Sequence, residues 1–289
     1  MDAARQAGND QFDRWNGSAG RAWVDARDVV DGMFQRVEDL LVGSVGVADG
    51  AQVLDVGCGT GATTLAVARR LGPAGGATGI DLSEPMVAAA RERAEREHAE
   101  VTFLCADVQE HAFEPATFDA IISRFGVMFF GEPVRAFTAL RRAARDAAEL
   151  RFVAWRRPED NPFMTTAEQA AAPFLPPLPV REPDAPGQFA FADPRRVSRI
   201  LDESGWHEVE IRPVDLECVF PESALLEYVT RFGPVGMVLN DLGERERAPI
   251  IAAVRAAFER YAHGAEVRYT AACWLVQARA SAPTGARRV

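Results

Sequence analysis

The chain has little cysteine, little histidine and no long apolar run: 289 residues hold 4 cysteines and 4 histidines. Cys58, Cys105, Cys218 and Cys273 are far apart and contain no C-x-x-C pair, and the last three fall in apolar, strand-like runs. They read as free thiols, which excludes a disulfide scaffold and offers no metal site. Cys58 is the one expected to be exposed, in a glycine turn where its backbone matters more than its sulfur. His98, His111, His207 and His263 fall at expected loops and helix ends, and no His-Asp or paired-carboxylate constellation stands out. No catalytic residue is therefore assigned. No stretch approaches the roughly 20 apolar residues that a membrane-spanning helix needs. The opening Met1-Asp2-Ala3-Ala4-Arg5-Gln6 lacks the apolar core of a signal peptide. There is no internal repeat and no excess of positive charge, since 42 acidic residues against 32 basic ones give a net charge of -10 and a pI near 5.0. Such a surface has no global attraction for phosphate backbones or anionic lipid. The expectation is a cytoplasmic protein with a small-molecule partner, no nucleic acid and no membrane insertion.

What the chain does have is enough apolar residue, 48% of the total, to bury a large core. Between Arg21 and Val47 apolar residues recur at helical spacing, which predicts one or two helices before the first strand. Regular alternation follows: strand 52 to 57, helix 60 to 71, strand 77 to 81, helix 83 to about 98, strand 101 to 106. A strand at 118 to 123, a helix from 132 to about 145 and a strand at 149 to 155 complete the series. Strands alternating with helices of this length imply βαβ units and a mostly parallel sheet.

The alternation breaks at 156 to 193, which holds 8 of the 18 prolines and few periodic apolar positions. Phe163, Met164, Phe174, Phe189 and Phe191 within it imply packing against something, and a lid over a pocket is the preferred reading. A helix at 194 to 204 then leads to a strand at 207 to 220, where a shift of apolar parity past Pro213 predicts a bulge. Residues from about 221 to 264 form a second insertion with helical stripes. A last strand at 267 to 278 suits an antiparallel pair at the sheet edge.

Val53-Leu54-Asp55-Val56-Gly57-Cys58-Gly59-Thr60-Gly61 joins an apolar strand to a glycine turn and a helix. The glycines let backbone approach a ligand closely, and the helix start presents unpaired N–H groups. Gly57, Gly59 and Ala62 also satisfy the dinucleotide pattern G-x-G-x-x-G/A, so a nicotinamide cofactor competes with an adenosyl one. Asp55 separates the two. A carboxylate at that strand end repels phosphates but attracts the ammonium and sulfonium of S-adenosylmethionine. Asp81 ends the second strand, where a carboxylate can accept both ribose hydroxyls, ahead of Ser83 as a helix N-cap and Pro85 in the first turn. Asp107 follows the third strand, where it can accept the adenine amine while the Val108 N–H donates to a ring nitrogen.

With these residues the chain resembles the class I S-adenosylmethionine-dependent methyltransferases, in the bacterial small-molecule branch related to quinone-biosynthesis enzymes. Val53 to Gly61, Gly79 to Ser83, Ala106 to Val108 and Phe118 to Ser123 match the first four motifs, and Arg124 to Phe130 and Phe152 to Trp155 match the branch. The Pro-Gly-Gly turn common before the fifth strand is replaced by Ala144 to Glu149, which is expected to extend the helix. Ser123-Arg124-Phe125-Gly126 stands where nucleic-acid methylating relatives carry Asp/Asn-Pro-Pro-aromatic.

The resemblance implies a doubly wound, Rossmann-like, mostly parallel α/β sheet with an antiparallel C-terminal strand. Residues 1–50 would form an N-terminal helical lid and 51–289 the main domain, its insertions at about 156–193 and 221–264 forming a substrate cap. It implies S-adenosylmethionine as cofactor, S-adenosylhomocysteine as product, and a small, partly apolar or aromatic acceptor methylated by in-line displacement. The implied cofactor residues are Asp55, Gly57, Cys58, Gly59, Gly61, Asp81, Leu82, Met86, Asp107, Val108, Ser123 and Arg124. Arg124 has three open roles: binding the cofactor carboxylate, binding an acidic substrate, or a structural ion pair. Candidates for the substrate pocket are Phe125, Met128, Phe163, Tyr228, Phe232 and Tyr261, with Trp15 and Trp23 as cation-attracting faces or core anchors. An NAD(P)-dependent oxidoreductase and a non-catalytic S-adenosylmethionine binder are the rival classes.

Overall fold

The computed structural model describes residues 10–46, 48, 50–176, 182, 184–240 and 242–280. The start of the expected N-terminal lid at 1–9, the proline-rich 177–181 with 183, and the C-terminal 281–289 lie outside the described residues.

Helices come first: α1 over residues 10–16, α2 Ser18–Asp25, α3 Arg27–Met33 and α4 Gln35–Ser44. Then β1 Gln52–Val56, α5 Ala62–Leu71, β2 Gly76–Asp81, α6 Glu84–Glu97, β3 Val101–Cys105, β4 Phe118–Arg124, α7 Pro133–Ala143 and β5 Ala144–Trp155 alternate. The remainder is α8 Pro162–Ala171, α9 Pro194–Glu203, β6 Trp206–Pro221, α10 Leu225–Arg231, α11 Gly233–Asn240, α12 Glu244–Phe258, β7 Ala262–His263 and β8 Glu266–Ala280.

The sheet runs β3-β2-β1-β4-β5-β8-β6, with β7 paired to β8. Every pairing from β3 to β5 is parallel, and β8 lies antiparallel between β5 and β6. Chain order reverses between β1 and β4. At such a switch point the connections leave the sheet on opposite faces and open a crevice at the carboxyl ends of the strands. The central strands are apolar on both faces because helices cover both; Val53, Leu54 and Val56 of β1 are all buried. In α7, Ala136, Phe137, Leu140 and Ala143 form one buried stripe at helical spacing. Phe137 is fully buried, and its truncation to alanine would cost about 3–5 kcal/mol in lost contacts and cavity.

The fold class agrees with the expectation; several local readings do not. The α7 helix stops at Ala143, and 144–149 join β5 through an irregular register opposite Phe118 and Ala120, with Ala147 at φ 62°. The segment therefore turns out of the helix instead of extending it. Pro213 lies in unbroken register with Trp274, and the shift occurs at His207–Glu210, where Glu208 has φ 52°. A proline is tolerated there because β6 is an edge strand whose outer N–H positions need no partner. Cys58 is buried, its side chain turned in with Leu65, Val87 and Phe103, and Cys105 at the end of edge strand β3 is the exposed thiol. All four cysteines are free. The first insertion is less irregular than its prolines imply, since α8 occupies its middle. Asn161 fixes that helix by pairing with the Ala272 backbone of β8 twice, donating through Nδ2 and accepting at Oδ1, each at 2.9 Å. No helix among the described residues is long and apolar enough to cross a membrane.

Candidate functional site

The β1–α5 turn meets the β4 end backbone to backbone. A Cβ added at Gly57, which has φ +67°, would lie 2.6 Å from the Cα of Gly126. Gly59 is also left-handed, at φ +53°, but a Cβ there would meet only the Met86 sulfur at 3.8 Å. Gly61, at φ +85°, starts α5 and packs on Phe103. Ser123 closes the junction by donating to the Val56 carbonyl at 2.7 Å and accepting from Gly126 N at 3.1 Å. Only glycine satisfies both the handedness and the space at Gly57.

A cavity opens at the carboxyl ends of β1, β2, β3 and β4. Of the expected cofactor residues, Gly57, Gly59, Asp81, Leu82, Met86, Asp107, Val108 and Arg124 line it. Asp55, Cys58, Gly61 and Ser123 do not; they sit behind the turn and shape it. Asp81 accepts from the N–H of Gly59 at 2.8 Å and of Ser83 at 2.9 Å. Burial raises its carboxyl above the ordinary carboxylate range, against the pull of those N–H groups. Asp107 accepts from the Gln109 backbone at 2.8 Å in an Asx-type turn. Asp55 is buried beneath the turn, where loss of solvent pushes its pKa up to about 7 despite the Thr64 hydroxyl and the nearby Arg124 charge.

Arg124 enters the cavity from β4. Behind it lie Asp31 of α3 at 3.7 Å and Glu38 of α4 at 3.9 Å, and Asp31 also binds Arg93 of α6 at 2.6 Å. The structural ion pair is therefore present. It is loose, because Nη1, buried on the Glu38 side, makes no hydrogen bond across that 3.9 Å. A buried donor without an acceptor costs free energy. The residues fit an adenosyl amino acid: carboxylates for a diol and an amine, open backbone at Gly59 for close approach, and the Arg124 guanidinium on the lining for a carboxylate.

A second cavity adjoins the first, and Trp15, Trp23, Phe125 and Phe129 line both. Trp15 is held by local bonds: Ser83 Oγ donates to its carbonyl at 2.7 Å, and Asn16 Oδ1 accepts from Glu84 N at 2.9 Å. Its ring meets Trp23 edge-on at 6.2 Å and Phe129 at 5.1 Å. Phe125, at φ 65°, stacks on Trp155 with centroids 4.5 Å apart. Met128, Phe163, Tyr228 and Phe232 line the second cavity as expected. Tyr261 lines neither; it packs on Phe163, and its hydroxyl lies 3.3 Å from Thr166 Oγ1. Burial raises the Tyr228 phenol above its usual range, and its hydroxyl donates to the Met164 sulfur at 3.6 Å. Sequence reasoning missed Arg14, Phe34 and Trp155 in this lining. Arg14 directly precedes Trp15 on α1, and that adjacency was the one available signal.

Sheet order, switch-point cavity and strand-end acids together give a doubly wound α/β domain with an acid-edged crevice at the carboxyl ends of its strands. Residues 53–147 match the family model described as a methyltransferase domain. Nocamycin O-methyltransferase from Saccharothrix syringae is 39% identical over 98 residues, which are 34% of this chain and 35% of that protein. The 2-phytyl-1,4-naphtoquinone methyltransferase from Trichormus variabilis is 28% identical over 130 residues, 44% of this chain and 57% of the relative. The chain thus spans between about a third and three fifths of those two proteins. The same fold occurs in a phosphoethanolamine N-methyltransferase from Haemonchus contortus, with TM-score 0.58 and 16% identity over 93% of this chain and 60% of that one.

Proposed function

We propose that the protein transfers a methyl group from S-adenosylmethionine to a small, partly apolar or aromatic acceptor. The carrying observation is the pair of cavities that share Trp15, Trp23, Phe125 and Phe129, one edged by Asp81 and Asp107 and the other walled by aromatic rings. In this reading Asp81 accepts the ribose hydroxyls, Asp107 and the Val108 N–H read the adenine edge, and Leu82 and Met86 flank its faces. The Arg124 guanidinium takes the amino-acid carboxylate, and the open backbone at Gly59 admits the chain beside it. Asp55, Cys58, Gly61 and Ser123 act on the cofactor through the shape of the turn.

When bound, the cofactor supplies an electrophilic methyl on a positively charged sulfur. What the protein must do is hold an acceptor about 3 Å from that methyl, in line, and keep water out. Trp15, Trp23, Phe125 and Phe129 are placed for this at the shared wall, and their electron-rich faces attract a sulfonium. The helices α1 and α2 would serve as the lid, with α8, α10 and α12 as the acceptor cap. Four free cysteines suit a reducing cytoplasm.

Calorimetric titration with S-adenosylhomocysteine tests the cofactor half, and labelled S-adenosylmethionine with a panel of phenols, quinols, indoles and amines tests the transfer. Absence of S-adenosylhomocysteine binding would overturn the reading.

A further inference from the structure

We infer that the acceptor is an organic anion and that Arg14 is its counter-ion. This rests on the proposed transfer reaction and narrows its substrate class.

The second cavity is apolar except at a few points. Arg14 is the only cation among its described lining residues, and Glu168 of α8 the only carboxylate; Gln188, the Tyr228 hydroxyl and the N–H groups of Trp15, Trp23 and Trp155 are uncharged. Arg14 stands over the ring of its neighbour Trp15, with its guanidinium carbon 5.6 Å from the ring centre. That contact orients the guanidinium without using its N–H donors. No hydrogen bond or ion pair within the described residues engages those donors, in contrast to Arg124, which lies between two acids. Partial burial holds the Arg14 guanidinium below its ordinary range. The residue is nevertheless exposed, so a ligand reaches it from solution.

An aromatic-walled cavity strips water from whatever enters it, and a stripped anion is costly unless a donor replaces that water. Arginine supplies a planar fork that matches a carboxylate or enolate in two bonds. The chain as a whole, at net charge -10, repels anions. Arg14 is therefore the feature that admits one here, and its place beside Trp15 puts the charged end of the acceptor next to the shared wall. A neutral or cationic acceptor of equal size would form no ion pair with Arg14.

The test uses the full chain saturated with S-adenosylhomocysteine and two matched probes, 1-naphthoate and neutral 1-naphthamide, titrated calorimetrically. Naphthoate is expected to bind the parent more tightly than naphthamide, with affinity that falls as salt rises. Arg14→Gln should weaken naphthoate about tenfold or more, the size of one charge-assisted hydrogen bond, and leave naphthamide unchanged. Arg14→Lys should recover part of the loss. The inference is overturned if naphthoate does not bind the loaded parent, if naphthamide binds as well as naphthoate, or if Arg14→Gln changes neither probe or both equally. Binding of S-adenosylhomocysteine is measured first on each variant. Its loss in the parent sinks the transfer reading, and its retention in Arg14→Gln shows that the variant is folded.

Discussion

The hydroxyl of Thr64 donates a 2.7 Å hydrogen bond to Oδ2 of Asp55, wholly inside the core. The other oxygen, Oδ1, is buried without a partner. Asp55 thus ties the end of β1 to the first turn of α5 from below, and its influence on the ligand runs through the turn it braces. Arg124 is the nearby charge that favours its ionised form, while Glu38 and Asp81 oppose it.

This environment makes a prediction about pH. Burial raises the Asp55 pKa from 3.8 to about 7 in the folded chain. The folded state therefore holds a proton more tightly than the unfolded one, and this contribution to stability is complete below about 4 and lost as pH rises through about 7. Asp55→Asn removes the titration. The unfolding free energy of the variant minus that of the parent should rise with pH between about 4 and 7, by on the order of 4 kcal/mol. Urea unfolding of both proteins at a series of pH values measures it, and a flat difference would show that Asp55 is ionised throughout.

Gly57 and Gly59 are predicted to fail differently. Gly57→Ala forces a left-handed alanine, costing about 1–2 kcal/mol, against the Gly126 backbone only 2.6 Å away. It should lower Tm by several degrees and weaken S-adenosylhomocysteine together. Gly59→Ala has room, with only the Met86 sulfur at 3.8 Å, so most of its effect should fall on ligand affinity. Equal loss of Tm in both variants would mean that neither glycine is there for the ligand.

Asp81→Ala removes the acceptor of two backbone N–H groups as well as the proposed ribose ligand. The two N–H groups bond different oxygens, Gly59 to Oδ2 and Ser83 to Oδ1, so Asp81→Asn keeps an acceptor for one of them and loses the charge. Both variants should bind S-adenosylhomocysteine about 1–3 kcal/mol more weakly, and the asparagine variant should lose less Tm than the alanine variant. Unchanged affinity in either would sink the ribose role.

The part of this architecture that depends on neighbours in sequence was legible from the start. Alternating strands and helices imply β1 to β5, and a strand, an acid and three spaced glycines imply the turn, because each is decided within about a dozen residues. What was not legible depends on distant contacts. The Ala144 strand start is set by pairing with Phe118, Cys58 is buried by Phe103 and Val87, and α8 is anchored by Asn161 on Ala272. The second cavity draws on positions as far apart as Arg14, Phe34, Phe125, Trp155, Phe163, Tyr228 and Phe258. No local pattern marks Phe34 or Trp155 as its walls, since buried aromatics have the same composition whether they face a core or a cavity.

Phe125 carries the last prediction, because it stands in both cavities and in a strained conformation at φ 65°. Its ring lies flat on Trp155, at an interplanar angle of 4°, with Phe34 edge-on at 5.3 Å. This stack fixes one face of the shared wall. Phe125→Leu keeps a side chain at the same backbone angle, so the strain is unchanged and only the flat surface is lost. S-adenosylhomocysteine affinity should change little, since Asp81, Asp107 and Arg124 are untouched, while kcat/KM for an accepted substrate should fall about 10- to 100-fold through loss of alignment. Calorimetry and steady-state kinetics on the same preparation separate the two. A parallel loss of cofactor affinity would assign Phe125 to the first cavity alone, and unchanged turnover would place the acceptor elsewhere along the aromatic wall.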